Sequence, residues 1–309
     1  MDICTDLSTM TYFDKSVLTI GAFDGMHCGH MEIVKELKLR SENNNIPSIV
    51  ITFDPHPKSI LKSKCDDTWE LLMCIDKKLE IFEDHDIDYI WLIPFNEEFS
   101  QLTADYFLDN YIMKYFHPID IVIGYDHHFG HKRYGDSEYL NKKKERYNYN
   151  LHVKEPVKLN DVPVSSSQIR SYLKDSNLEA ANKFFGREYE FSGNIVEGDG
   201  RGKLMNVPTA NIVPKDLNQL IPAKGVYCVD ANVDNRNYSG MCNIGVRPTF
   251  YEDGDSVIEV HLITDDKLSL YGKEIQIKFK EFIREERKYE SAEDLANQLM
   301  QDRYNCQLN

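Results

Sequence analysis

The hydrophobic pattern of this 309-residue chain changes character once, near residue 160, and no single layer architecture accommodates both parts. Before that point, short apolar runs rich in β-branched residues at 17–21, 48–53, 89–93, 119–124 and 151–155 predict buried strands. Between them the spacing predicts helices over 31–40, 77–86, 103–115 and 136–145. Ile33, Val34 and Leu37 share one face of the first, and Thr103 and Asp136 stand at N-cap positions. Strands that alternate with helices imply a doubly wound parallel sheet covered on both faces. Such sheets bind ligands beyond the carboxyl ends of their strands, where the strand order reverses.

Two further short helices are expected over 165–173 and 177–185, after which the helical spacing stops. From 189 to 282 the chain reads as short strands broken by turn chemistry at 197–200, 234–235 and 253–255, with Ile275, Ile277 and Phe279 alternating. That pattern predicts an antiparallel barrel or sandwich. Ser291 opens a Ser-x-x-Asp cap for a terminal helix running to about residue 304. The fold class is therefore α/β plus β, with a boundary dividing the chain into 1–185 and 186–309. A chain of this length supports two separate cores.

The formal net charge of −15 argues against a nucleic-acid partner, which needs a basic face. It also means that any site for a polyphosphate must supply its own positive potential, from helix N-termini, a few Arg and Lys, or Mg²⁺. No apolar run approaches the roughly 20 residues that span a bilayer, and the N-terminal segment has no signal-peptide core. The seven cysteines are odd in number and include no Cys-x-x-Cys pair. They read as reduced thiols of a cytoplasmic protein.

The first predicted strand runs directly into Gly21-Ala22-Phe23-Asp24-Gly25-Met26-His27-Cys28-Gly29-His30 and then a helix. Glycines allow a tight turn and close approach of a ligand to the backbone. His27 and His30, three apart at a helix start, can point the same way beside the free N–H groups of the first turn. That combination suits a polyphosphate and the charge that develops on a phosphoryl oxygen.

This stretch resembles the nucleotide-binding motif of the nucleotidyltransferase superfamily, in the version carried by prokaryotic bifunctional riboflavin kinase/FAD synthetases. Three further stretches are similar to that family's, in its order: Thr52-Phe53-Asp54-Pro55-His56-Pro57, Gly124-Tyr125-Asp126-His127-His128-Phe129-Gly130 and Ser165-Ser166-Ser167-Gln168-Ile169-Arg170. The resemblance implies an FMN adenylyltransferase domain. In it Gly21, Phe23, Asp24, Gly25 and Gly29 line the ATP site, and His27 and His30 contact the ATP phosphates during attack by the FMN phosphate. Arg170, Ser166 and Ser167 would hold the triphosphate, and Asp126 the nucleotide or the flavin. A displacement at phosphorus needs mainly positioning and charge neutralisation, which these groups can supply. His127 and His128 replace the Phe and polar residue more usual there; with His131 they invite a metal reading, but lack the companion ligands of a recognised site.

In the second part, Gly198-Asp199-Gly200-Arg201-Gly202-Lys203 is a glycine-rich turn followed by Pro208-Thr209-Ala210-Asn211, and no Walker motif occurs anywhere. The pair resembles the riboflavin kinase domain, which implies that Gly198, Gly200, Gly202 and Lys203 cover ATP while Thr209 and Asn211 hold Mg²⁺. An oxygen-only, partly hydrated site suits that ion. Glu259, two residues before His261 on one strand face, matches the family's general base for the riboflavin 5′-hydroxyl. Arg284 and Glu286 would lie near the flavin. Asn206 stands where the family usually has Gly.

The resemblance implies conversion of riboflavin to FMN and of FMN to FAD, with riboflavin, FMN and ATP as substrates. Alternatives left open by the residues are a single-activity adenylyltransferase with an impaired kinase domain, motivated by Asn206, and a non-catalytic flavin or nucleotide sensor. A tRNA-charging fragment shares the His-x-Gly-His element, but the acidic charge and the lack of a Lys-Met-Ser-Lys-Ser loop speak against it.

Overall fold

The computed structural model describes residues 1–10, 12–61, 69–197, 210–246, 256–264, 270–287 and 289–308. They form two compact units, Met1–Ser166 and Ser167–Asn309.

The first unit carries β1 (Asp2–Cys4), β2 (Ser16–Ile20), α1 (Cys28–Asn44), β3 (Ser48–Asp54), α2 (Pro57–Ile60), α3 (Ile75–Asp84) and β4 (Tyr89–Pro94). There follow α4 (Glu97–Ser100), α5 (Ala104–Phe107) with a π-helical continuation over Leu108–Phe116, β5 (Pro118–Gly124), α6 (Ser137–Tyr147) and β6 (Asn150–Lys154). A small hairpin, β7 (Lys158–Leu159) and β8 (Val162–Pro163), turns through Asn160 and Asp161 at positive φ. Strands β1 to β6 form one sheet in the order β1-β4-β3-β2-β5-β6, and every pairing is parallel. Period-two alternation divides the apolar runs between two cores. Leu18, Ile20, Ile49, Ile51, Ile121 and Ile123 face the side covered by Phe107, Ile112, Phe116 and Leu140. Val17, Val50, Ile90 and Val122 face Val34 and Leu37 of α1 and Ile81 and Phe82 of α3. The predicted caps form: Thr103 Oγ1 accepts from Tyr106 N at 3.1 Å, and Asp136 Oδ1 from Tyr139 N at 2.8 Å.

Strand order reverses beside β2, since β3 and β4 lie on one side of it and β5 and β6 on the other. The segments leaving β2 and β5 therefore flank the switch point. Both are stretches in which the sequence concentrates its candidate residues.

The second unit contains α7 (Ser166–Lys174), α8 (Leu178–Phe185), β9 (Tyr189–Val196), β10 (Ala210–Pro214), β11 (Gly225–Val233), β12 (Arg236–Val246), β13 (Ser256–Leu262), β14 (Glu274–Arg284) and α9 (Ala292–Leu308). The strands close as an antiparallel barrel in the order β10-β13-β12-β11-β14-β9. Barrel, rather than sandwich, follows from β14 pairing β9 while β9 also pairs β10, which leaves no open edge. Ile275, Ile277 and Phe279 alternate into the interior beside Tyr189, Phe191 and Tyr227, all nearly inaccessible. The β11–β12 turn puts Asp234 and Asn235 at φ of 51° and 62°, as a two-residue primed turn requires. Helix α8 docks on the barrel through Asn182, which donates to Phe279 O at 2.9 Å and accepts from Tyr189 N at 2.8 Å.

The expectation of uniformly reduced thiols is corrected here. Cys228 on β11 and Cys306 on α9 form a disulfide, with Cα atoms 5.2 Å apart. The bond lies in an apolar patch with Met241, Ile263 and Ile283, and nothing in the cysteine spacing marks the pair.

Candidate active sites

In the first unit the candidate loop leaves β2 and enters α1. Gly21 N continues the sheet by donating to Ile51 O at 3.0 Å, and the backbone then turns sharply. Phe23, Gly25 and Met26 all adopt positive φ, at 49°, 81° and 43°. Only Gly takes such a conformation without strain, so the two bulky residues must be held by their surroundings. Both are buried, with Phe23 edge-on to His30 at 5.4 Å and to Phe82 at 5.6 Å between ring centres. A side chain at Gly21 would press on the Phe23 ring.

His27 caps α1 through Nδ1, which accepts from His30 N at 3.3 Å. The two imidazoles stack with centres 3.7 Å apart and planes 14° from parallel. The expected same-side arrangement is thus realised at a helix N-terminus, where anions are favoured. Asp24 turns its carboxylate inward: Oδ1 accepts from Leu72 N at 3.0 Å, and its carbonyl accepts from Ser166 Oγ at 3.0 Å. Ser166 therefore braces the loop. Ser167 and Arg170 lie on α7, where Arg170 is buried beside Ile169.

After β5, Asp126 is exposed in a turn where His127 N donates to Gly124 O at 3.2 Å. The His127 ring packs on Phe129 at 5.7 Å, and burial holds its pKa down at about 4, helped by the charges of His128 and Arg133. His128 Nδ1 lies 2.8 Å from the Asp126 carbonyl, whereas His131 Nδ1 lies 3.3 Å from that of Ser100. The three histidines are thus turned to different neighbours.

Lys78 is the residue that the sequence reading missed. It is buried on α3, and its Nζ donates to Ala22 O at 2.8 Å, inside the candidate loop. The signal was present: Lys78 shares the buried helical stripe of Ile81 and Phe82, where a lysine is out of place unless it has a partner.

In the barrel, register brings three polar residues into one row. Glu259 on β13 is paired with Asn211 on β10 and with Asn243 on β12. The Glu259 charge, after burial, helps push the Cys242 thiol well above its usual range. His261, two residues on, is buried. Gly198, Gly200, Gly202, Lys203, Asn206 and Thr209 lie outside the described residues. Arg284 ends β14 and points its guanidinium at Asp302 of α9, while the Glu286 carboxylate sits against Gly245, where any side chain would displace it.

Each of the two parts of the chain matches a known family. A family model described as FAD synthetase matches residues 10–168, and one described as riboflavin kinase matches 185–308. Among curated relatives, the bifunctional riboflavin kinase/FMN adenylyltransferase of Listeria monocytogenes is 33% identical, over 93% of this chain and 90% of that protein. The protein of the same name from Buchnera aphidicola subsp. Acyrthosiphon pisum is 32% identical, over 93% and 91%. A crystal structure described as a macrolide-efflux protein from Streptococcus pneumoniae superposes with a TM-score of 0.89 at 27% identity, covering 99% of this chain and 98% of that one. The chain belongs to the bifunctional riboflavin kinase/FMN adenylyltransferase family and carries both activities, riboflavin to FMN and FMN to FAD.

Proposed function

We propose that the two activities occupy separate sites, adenylyl transfer in residues 1–185 and riboflavin phosphorylation in 186–309. The observation that carries the first assignment is the stacked His27–His30 pair on the N-terminus of α1, at the switch point of the sheet. In this reading the imidazoles and the N-terminal end of α1 take the ATP phosphates while the FMN phosphate attacks the α-phosphorus. Gly21, Phe23, Asp24, Gly25 and Gly29 shape the cradle, and Asp126 meets the flavin or the nucleotide. Arg170, Ser166 and Ser167 add contacts to the triphosphate. In the barrel Glu259 takes the proton from the riboflavin 5′-hydroxyl.

Mg²⁺ is the metal that the kinase residues fit. Asn211 supplies an amide oxygen in register with the Glu259 carboxylate, and a hard, oxygen-only donor set suits that ion. Thr209 would complete the protein ligands and the glycine turn with Lys203 would cover ATP. Bound there, the ion neutralises phosphate charge. The remaining two assignments, Arg284 and Glu286, place them toward the flavin end of the barrel.

No helix of the described residues is long and apolar enough to cross a membrane. We place the enzyme in the cytoplasm, acting on small molecules and not on nucleic acid, in keeping with its net charge of −15.

The deciding experiment incubates the protein with riboflavin and Mg·ATP and separates the flavins by chromatography. His30→Ala should stop FAD formation and spare FMN formation, and Glu259→Ala should stop FMN formation while FAD still forms from added FMN. Loss of both activities in either folded variant would refute the two-site assignment.

A further inference from the structure

The loop between β2 and α1 holds two bulky residues in the left-handed region, and something must keep them there. Packing accounts for the buried side chains of Phe23 and Met26 but leaves the orientation of the peptide groups to be set. At Asp24 this falls to Ser166 Oγ, which donates to the carbonyl, while Leu72 N holds the side-chain carboxylate. At Ala22 it falls to α3: the Nζ of Lys78 donates to the carbonyl at 2.8 Å, and Thr52 Oγ1 lies 3.4 Å from the same oxygen. A lysine with only 3% of its surface exposed loses most of its hydration, and folding retains such a group where it serves a partner.

We propose that Lys78 is a positioning residue for adenylyl transfer, fixing the Ala22–Phe23 peptide from behind the loop and placing an ammonium charge beneath the phosphate cradle. The inference rests on the reading of residues 21–30 as that cradle. The Ala22–Phe23 peptide is planar, so tying its carbonyl to Lys78 directs the N–H of Phe23 the opposite way. The charge answers a need set by the whole chain. With a net charge of −15, the protein must gather positive potential locally before it can hold ATP. A charge in a dry environment acts more strongly than one at the surface. Burial lowers the pKa of the ammonium, and the nearby carboxylates of Asp24 and Asp54 oppose part of that shift.

Two variants separate the hydrogen bond from the charge. Lys78→Met removes both at similar length, and Lys78→Gln keeps an N–H donor without the charge. Each is assayed for kcat and KM in FAD formation from FMN and Mg·ATP, for riboflavin phosphorylation on the same preparation, and for thermal unfolding. Lys78→Met should lower kcat for FAD formation about 100-fold, the scale of losing a preorganised electrostatic group, with the KM for FMN and riboflavin phosphorylation nearly unchanged. Lys78→Gln should fall between Met and wild type.

A folded Lys78→Met protein with wild-type kcat overturns the proposal. If that variant does not fold, Lys78→Gln decides by the same criterion, since a folded Gln protein at wild-type kcat removes the charge from the proposal. Destabilisation of both variants with wild-type turnover per folded molecule makes Lys78 merely structural. His30→Ala is run in parallel. If it leaves FAD formation intact, the reading of the loop fails as well; if it abolishes FAD while Lys78→Met does not, only the inference about Lys78 fails.

Discussion

Arg284 of β14 and Asp302 of α9 form a buried ion pair. Arg284 Nε and Nη2 donate to Asp302 Oδ2 at 3.1 and 2.7 Å, and Asp302 is fully inaccessible. Nothing in the motif around Arg284 announces this partner, which comes from 18 residues further along the chain. The pair fastens the last helix to the barrel wall and sets the direction in which the guanidinium points.

Asp302→Ala leaves that guanidinium buried without its carboxylate, and breaking one side of such a pair costs about 3–5 kcal/mol. The loss should be confined to the barrel. Both tryptophans, Trp69 and Trp91, belong to the first unit, so their fluorescence reports only on it. In denaturant, the variant should show an earlier far-UV dichroism transition with an unmoved tryptophan transition. Coincident shifts in both signals would show that the effect is not local.

The Cys228–Cys306 disulfide closes a segment of 78 residues, for which the loss of chain entropy in the unfolded state predicts about 4 kcal/mol of stabilisation. Cys306→Ser, or treatment with dithiothreitol, should lower the denaturation midpoint of the barrel and leave that of the first unit alone. Peptide mapping after alkylation without reduction should recover Cys228 and Cys306 in one linked species. Recovery of both as alkylated thiols would rule out the bond.

His127 should make the first unit sensitive to mild acid. Its ring Nε2 is buried with no hydrogen-bond partner among the described residues, and its pKa is lowered from 6.5 to about 4, chiefly by burial. The unfolded chain takes up a proton near pH 6.5 and the folded one only near pH 4. Between these values the unfolded state binds more protons, so stability falls as pH falls through that window and rises toward neutrality. His127→Phe should flatten the acid limb of midpoint against pH, measured by tryptophan fluorescence. An unchanged limb would show that other groups govern it.

Gly130 follows the candidate residues of the β5 loop at φ 72°, and a Cβ there would lie 2.7 Å from the backbone nitrogen of Ala104. Backbone cannot give way as a side-chain tip can. Gly130→Ala should therefore cost more than the ~1 kcal/mol usual for Ala at positive φ, with a lower tryptophan midpoint and weaker FAD formation. Riboflavin phosphorylation should be unaffected. A fully stable variant would mean that the loop has an alternative path.

The legibility of the sequence follows burial. The central strands β2, β3 and β5 are covered on both faces, so they stand out as unbroken apolar runs and were expected within a residue or two. Strand β1 has only three residues, two of them exposed, and pairs only with β4; it gives no period to read. The His27–His30 pair was legible because a cap residue and the residue three further on meet at the same helix end. Lys78 was legible in principle, as a charge in an apolar stripe, but its meaning depends on Ala22, 56 positions away. Asp302 and the disulfide were illegible for the same reason: each is defined by a partner that only tertiary structure supplies.

The pairing of β9 with β14 joins Tyr189 to Phe279 and Asn194 to Glu274, so the barrel cannot close until its last strand exists. The parallel sheet is complete by Lys154. On the ribosome the two units therefore mature in sequence, the nucleotide-handling half first and the barrel only near the end of translation. A nascent chain arrested at about residue 250 should yield a protease-resistant N-terminal fragment and a digestible remainder; equal resistance of both parts would show that strand pairing does not wait for β14.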